Sequence, residues 1–194
     1  MKQDKETRAK IVAAGLRLLE RGGQEAVTMR RVAKAIGVTA MAIYHHFPDR
    51  DALLRALADA ETDRIGELFG KWQARGSALS RLRKMAESYV DYAFARPRMF
   101  AFLFLQDRPQ LRRFPADFAP RRSTMLNRVT DAIAEAMLEG VLRKDDFWEV
   151  AIDLWAFVHG HLALYRSGRY SYSEAEFRTS FRRSLNRFFK GLKT

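Results

Sequence analysis

The chain has no cysteine. Disulfides, zinc–thiolate centres and cysteine nucleophiles are excluded with it. Histidine is scarce, with four residues in 194. His45 and His46 are adjacent, and neighbours on a helix point about 100° apart and chelate poorly. No metal or other cofactor is expected. The longest apolar runs, Met99–Leu105 and Leu154–Val158, fall far short of the roughly 20 residues that span a bilayer, so no membrane partner is expected. Met1–Lys10 is polar, unlike a secretory leader, and a cytoplasmic location is expected. There is no Gly-rich phosphate loop, no HExxH and no paired carboxylate cluster. Glu135 and Glu139 share a helical face but read as a solvated stripe, so an enzyme is not expected.

What the chain does have is positive charge and helical periodicity. The net charge is +12 and the pI about 10.4, a balance that favours an anionic partner. Residues 1–50 carry ten Lys/Arg against five Asp/Glu, and residues 151–194 carry eight against three. Charge alone therefore does not single out one end. Five prolines and eleven glycines punctuate segments of helical period, and no β-rich segment or repeat interrupts them. The class expected is all-α, with about nine helices.

Ile11, Gly15, Leu18 and Leu19 share one face of a helix over Thr7–Arg21 that Gly22-Gly23 ends. Thr28 caps a short helix to about Ala35, and a third helix covers roughly Thr39–His46. A fourth begins near Arg50, capped by Asp49, and ends before Gly76. Leu79–Ala95, a short aromatic segment Met99–Leu105 restarted after Pro97, about twenty residues ending at Glu139, Asp145–Ser167 and Ser173–Lys190 complete the series. Between them, 106–122 reads as a loop with Pro109, Pro115, Pro120 and the pairs Arg112-Arg113 and Arg121-Arg122.

Residues 28–53 are the most specific part. Ala33 is small where one helix must cross another, Gly37 can take the positive φ of a tight turn, and Ile43 points back into the angle between them. That is the spacing of a helix-turn-helix, which places its second helix in the major groove of DNA. Thr28, Arg30, Thr39, Tyr44, His46 and Arg50 are donors able to reach phosphate or base edges, and no acidic residue lies between Thr28 and Pro48. Phe47 is expected in the core, and Tyr44 half-buried with its hydroxyl toward the backbone.

The segment V-T-x-x-x-I-Y-x-H-F-x-x-R-x-x-L, Val38–Leu53, and the preceding T-x-R-x-V-A-x-x-I-G, Thr28–Gly37, resemble the signature of the TetR (tetracycline-repressor) family of bacterial transcriptional regulators. The resemblance is strong over Thr7–Leu57 and looser beyond. It implies a three-helix DNA-binding domain at 1–50 and a helical ligand-binding and dimerisation domain at 51–194. It implies that Arg30 reads a guanine edge and that Thr39, Ala40, Met41 and Ala42 face bases. Thr28, Tyr44, His46 and Arg50 would hold phosphates, with His45 beside them. Ala40-Met41-Ala42 suits thymine methyls and groove shape better than hydrogen-bonding edges. The partners so implied are double-stranded DNA, a second copy of the chain and a small-molecule effector, in the bacterial cytoplasm.

Trp155-x-x-x-His159-Gly160 resembles a Trp–His–Gly pattern in one branch of the family's C-terminal domains. Gly160 would admit a neighbouring helix closely. The expected homodimer face comprises Val158, His159, Leu162 and Tyr165 on one helix and Phe177, Phe181, Leu185 and Phe188 on the next. An effector pocket is expected among Tyr89, Tyr92, Phe94, Met99, Phe100, Phe104, Met125, Val129, Trp148, Ile152 and Trp155. That list suggests an apolar or aromatic molecule, with Arg96 and Arg98 pointing to an anion. The function expected is a repressor acting as a homodimer on a near-palindromic operator and released by such an effector. The alternative is a sequence-tolerant architectural DNA-binding protein, suggested by the basic C-terminal residues Arg178, Arg182, Arg183, Arg187, Lys190 and Lys193.

Overall fold

The computed structural model describes residues 2–72, 76–106, 113, 114, 116, 118, 121 and 123–193. Of the expected loop 106–122, Pro109, Arg112, Pro115, Pro120 and Arg122 lie outside the described residues. The elements are α1 (Lys2–Gly22), a 3-10 turn (Gln24–Ala26), α2 (Met29–Ile36), α3 (Ala40–His46), α4 (Arg50–Gly70), α5 (Ala78–Ala95), α6 (Pro97–Phe104), α7 (Thr124–Leu138), α8 (Phe147–Arg166) and α9 (Glu174–Gly191). Among the described residues there is no strand, and the chain is all-α.

Side-chain caps set where most of the shorter elements begin. Thr28 Oγ1 accepts from Arg31 N at 3.2 Å and Thr39 Oγ1 from Ala42 N at 3.3 Å, each satisfying an amide that the first turn leaves open. Asp146 caps α8 through Trp148 N and Glu149 N. Ser173 and Glu176 form a reciprocal capping box on α9.

Two compact units emerge, Met1–Arg64 with Phe94–Phe118, and Ile65–Ala93 with Ala119–Thr194. This division differs from the linear boundary at residue 50. The reason is α6, which packs on α1 and so joins residues 94–118 to the first unit. Arg96, the residue before α6, bonds Glu20 of α1 at 2.6 Å and also pairs with the buried Glu61 of α4. A buried carboxylate is tolerable only with such partners. The core of this unit holds Ile11 and Leu19 of α1, Val32 of α2, Ile43 of α3 and Leu53 and Leu57 of α4, all fully buried.

In the second unit, α9 inserts Phe177, Phe181, Leu185 and Phe189 into the core. The expected stripe ended at Phe188. Position 189 lies one helical turn beyond 185, so Phe189 is buried and Phe188 only half-buried. Arg178 pairs with Asp91 and Arg182 Nε donates to Glu87 at 3.3 Å, tying α9 to α5. The buried Arg81 of α5 pairs with Glu135 of α7 and holds that carboxyl below its usual range.

Candidate nucleic-acid interface

The Thr28–Phe47 segment builds its angle as the spacing requires. Gly37 adopts φ 72°, a left-handed conformation that costs glycine least. Its amide and that of Val38 bond back to Lys34 and Ala33 carbonyls at 3.4 and 3.1 Å, closing α2. Ala33 is buried at the crossing and Ile43 fully buried in the angle. Burying a side chain of that size stabilises by roughly 1.5–3 kcal/mol.

With those residues turned inward, a polar and apolar face is left outside. Arg30, Arg31 and Lys34 of α2 are exposed, as are Thr39 and His45, while Thr28, Ala40 and Ala42 are half-buried. Met41 is 76% exposed and Tyr44 47% exposed. The expectation of a half-buried Tyr44 is thus corrected. On a seven-residue helix that turns Ile43 inward, position 44 falls on the outer side. Phe47 is in the core, as expected, with the Arg8 guanidinium 4.8 Å above its ring. Lys34 is a cation the motif comparison passed over. It lies four residues after Arg30, a spacing that puts both on one helical face.

Two expected phosphate contacts are directed elsewhere. His46 is half-buried and its Nδ1 lies 3.3 Å from Asp4 Oδ1 of α1. Arg50 donates from Nε to the Val27 carbonyl at 2.8 Å and from Nη2 to the Gln24 carbonyl at 2.7 Å. Both side chains reach across the unit to partners distant in sequence, which local spacing does not disclose.

The second unit contains a cavity of about 40 Å³. Phe69 of α4, Leu82 and Met85 of α5, Met125 and Val129 of α7, and Leu154 of α8 contribute to its wall, and no charged side chain does. Tyr89 and Trp155 also line it, and they are joined to each other and to His159, which is not part of the wall. Trp155 Nε1 donates to Tyr89 Oη at 3.2 Å, and Tyr89 Oη lies 3.1 Å from His159 Nδ1. Burial pushes the Tyr89 phenol well above its ordinary value, so it stays protonated.

Of the expected pocket residues, Tyr89, Met125, Val129 and Trp155 meet here. Tyr92 is buried elsewhere on α5, and Trp148 and Ile152 are half-buried on α8 away from this wall. Phe94, Met99, Phe100 and Phe104 belong to the first unit, where α6 meets α1. Arg96 is already engaged with Glu20 and Glu61, and Arg98 Nη1 donates to the Glu20 carbonyl at 3.2 Å. The argument for an anionic ligand loses its basis.

The expected dimer face also needs correction. Val158, Leu162, Phe177, Phe181 and Leu185 are buried within their own chain, because α8 and α9 need these stripes to close their own unit, and Val158 lines the cavity. His159, Tyr165 and Phe188 remain half-buried. The outward side of α8 instead shows Ala156, Gly160, Ala163 and Leu164. A Cβ at Gly160 would meet nothing within 4 Å, so among the described residues no other helix approaches it.

Among the described residues, no group of three or more His, Asp or Glu could hold a metal ion, and no helix is long and apolar enough to cross a membrane.

Residues 11–57 match the family model for bacterial regulatory proteins, tetR family, and residues 82–188 match that for the tetracyclin repressor-like C-terminal domain. The HTH-type transcriptional regulator AcrR of Shigella flexneri is 39% identical over 82 residues, which are 41% of this chain and 38% of that regulator. The chain thus aligns with well under two thirds of that relative. An HTH-type transcriptional repressor of Mycobacterium tuberculosis is 28% identical over 71% of this chain and 70% of its own length. The nucleoid occlusion factor SlmA of Sodalis glossinidius is 25% identical over 85% of each. The fold matches that of RolR in complex with resorcinol, at a TM-score of 0.73 and 14% identity over 98% of this chain and 89% of that one. It also matches FadR of Bacillus subtilis in complex with stearoyl-CoA, at 0.71 and 14% over 91% and 96%.

Proposed function

The chain belongs to the TetR family of bacterial transcriptional regulators, and from that we propose a repressor that binds a near-palindromic operator as a homodimer and leaves it when a small uncharged effector enters the second unit. The observation that carries this reading is the outer face of α2 and α3. Arg30, Lys34, Thr39, Met41 and Tyr44 are presented there without an acidic residue between Thr28 and Pro48. Arg30 can give a guanine two parallel hydrogen bonds, worth roughly 1–3 kcal/mol of discrimination. Met41 offers only apolar contact, suited to a thymine methyl. Thr28, Thr39 and Tyr44 would hold phosphates and set register.

One helix-turn-helix covers one half-site, and two-fold dimers place two of them about one DNA turn apart. The outward side of α8, with its small residues and Leu164, supports a pairing surface. Effector binding is supported by the apolar wall around the Tyr89–Trp155–His159 cluster and by the small molecules held in RolR and FadR. A benzene-sized guest needs a cavity of about 150 Å³, so the flexible Met85 and Met125 must give way. Helix α4 carries both Phe69, at the cavity, and Arg50, beside the motif. Displacement of that helix is the proposed route by which the effector weakens operator binding.

The basic surface of α9 favours a second reading, DNA binding with little sequence preference. Arg183, Arg187 and Lys190 are exposed on α9. Selecting duplexes from random DNA with the full chain separates the two. A repressor yields a near-palindrome preferred at least about 10³-fold over random duplex at physiological salt. Arg30→Ala should then weaken that preference at one base position of each half-site. Recovery of unrelated sequences would overturn the repressor reading.

A further inference from the structure

Arg50 opens α4, immediately after the recognition helix, where a cation would ordinarily be assigned to the DNA backbone. Its bonds point inward. Nε donates to the Val27 carbonyl at 2.8 Å and Nη2 to the Gln24 carbonyl at 2.7 Å, with Glu25 Oε1 at 3.9 Å from Nη2. The two carbonyls bracket the 3-10 turn Gln24–Ala26 that joins α1 to α2. Val27 directly precedes Thr28, the cap of α2, and Arg30 follows two residues later. Asp49 meanwhile caps α4, its Oδ1 accepting from Ala52 N at 2.6 Å. Arg50 therefore projects from a fixed helix end onto a turn that has no side-chain cap of its own.

We infer that Arg50 is a positioning residue for DNA binding, a clamp on the 24–27 turn that sets where the start of α2 and its Arg30 stand beside α3. The inference rests on the DNA-binding reading above. Its chemistry requires a planar guanidinium, because two donors on one rigid fork can hold two carbonyls at once. A lysine at this place keeps the charge but cannot reproduce the fork. A phosphate contact depends chiefly on charge, and each one lost flattens the dependence of log Kobs on log salt by about one unit.

The test compares the wild-type full chain with Arg50→Lys and Arg50→Ala. Each binds its selected duplex and a random duplex across a salt series, below its own unfolding transition. A clamp predicts that both variants lose about tenfold on the selected duplex, which is about 1.4 kcal/mol, and lie within threefold of each other. Arg50→Lys leaves the salt slope unchanged. Amides of residues 24–28 exchange faster in both variants without DNA. Arg50→Lys within threefold of wild type on the selected duplex would overturn the inference. So would an Arg50→Ala slope shallower by about one unit with the preference for the selected site intact. Either variant decides alone if the other does not fold. A wild-type chain that prefers no duplex would sink the DNA-binding reading instead, leaving the exchange rates of residues 24–28 to judge the clamp.

Discussion

His161 lies half-buried between aromatic rings, its Nδ1 3.0 Å from the Tyr170 hydroxyl and its ring edge-on to Phe157 and Phe181. Burial holds its imidazole below the ordinary histidine value. The folded chain therefore takes up this proton at lower pH than the unfolded chain does, and stability falls as pH drops from about 6.5. Between pH 7.5 and 5.5 the Tm of the wild type should fall further than that of His161→Phe. Equal falls would show that another group carries the pH dependence. His46 and Arg50 are a related case in the helix-turn-helix unit. Their positions in the motif were plain from residue spacing, whereas their partners, Asp4 and the carbonyls of Gln24 and Val27, lie far away in the chain. Spacing along a helix tells which side a residue leaves from. It does not tell how far a long side chain bends back or what it meets there.

Two glycines on long helices show how differently one residue type is used by α4 and α8. A Cβ on Gly66 would stand 2.8 Å from Thr124 Cγ2 and 3.0 Å from the Met125 amide nitrogen, so α7 begins against bare backbone there. Gly160 has nothing within 4 Å. Gly66→Ala should therefore destabilise the subunit by about 1–3 kcal/mol through overpacking. Gly160→Ala should leave the isolated subunit unchanged or up to about 1 kcal/mol more stable, since alanine favours helix. Denaturant titrations of the two variants check the opposite signs, and destabilisation of the isolated subunit by Gly160→Ala would refute the open surface. Most helix bounds could be read from caps and breakers. Thr28 and Asp49 cap as expected, while Thr39 and Ser173, expected as first residues of their helices, are caps just ahead of them, because capping is a contact among near neighbours. The face of α9 was harder, since Phe188 and Phe189 are equally apolar and only the surrounding helices choose between them.

For the molecule as a whole, the decisive question is how many copies act together. Leu164, 42% exposed on α8, lies on the face proposed for pairing, where a charge could not be desolvated cheaply. Leu164→Glu should shift the sedimenting species from dimer to monomer and weaken binding to a two-half-site duplex at least about tenfold, with helix content unchanged by circular dichroism. A variant that stays dimeric would move the interface away from α8. The all-α class, the helix-turn-helix and the outward placement of Arg30, Thr39 and Met41 were legible from residue order, because periodicity, caps and the Ala33–Gly37–Ile43 spacing are short-range and the peptide geometry enforces them. The grouping of 94–118 with α1, the burial of Val158 and Phe181, the neutral cavity around Tyr89 and the inward turn of Arg50 were not. Each depends on which distant surfaces meet, and an apolar stripe or a long cation is compatible with several neighbours until packing selects one.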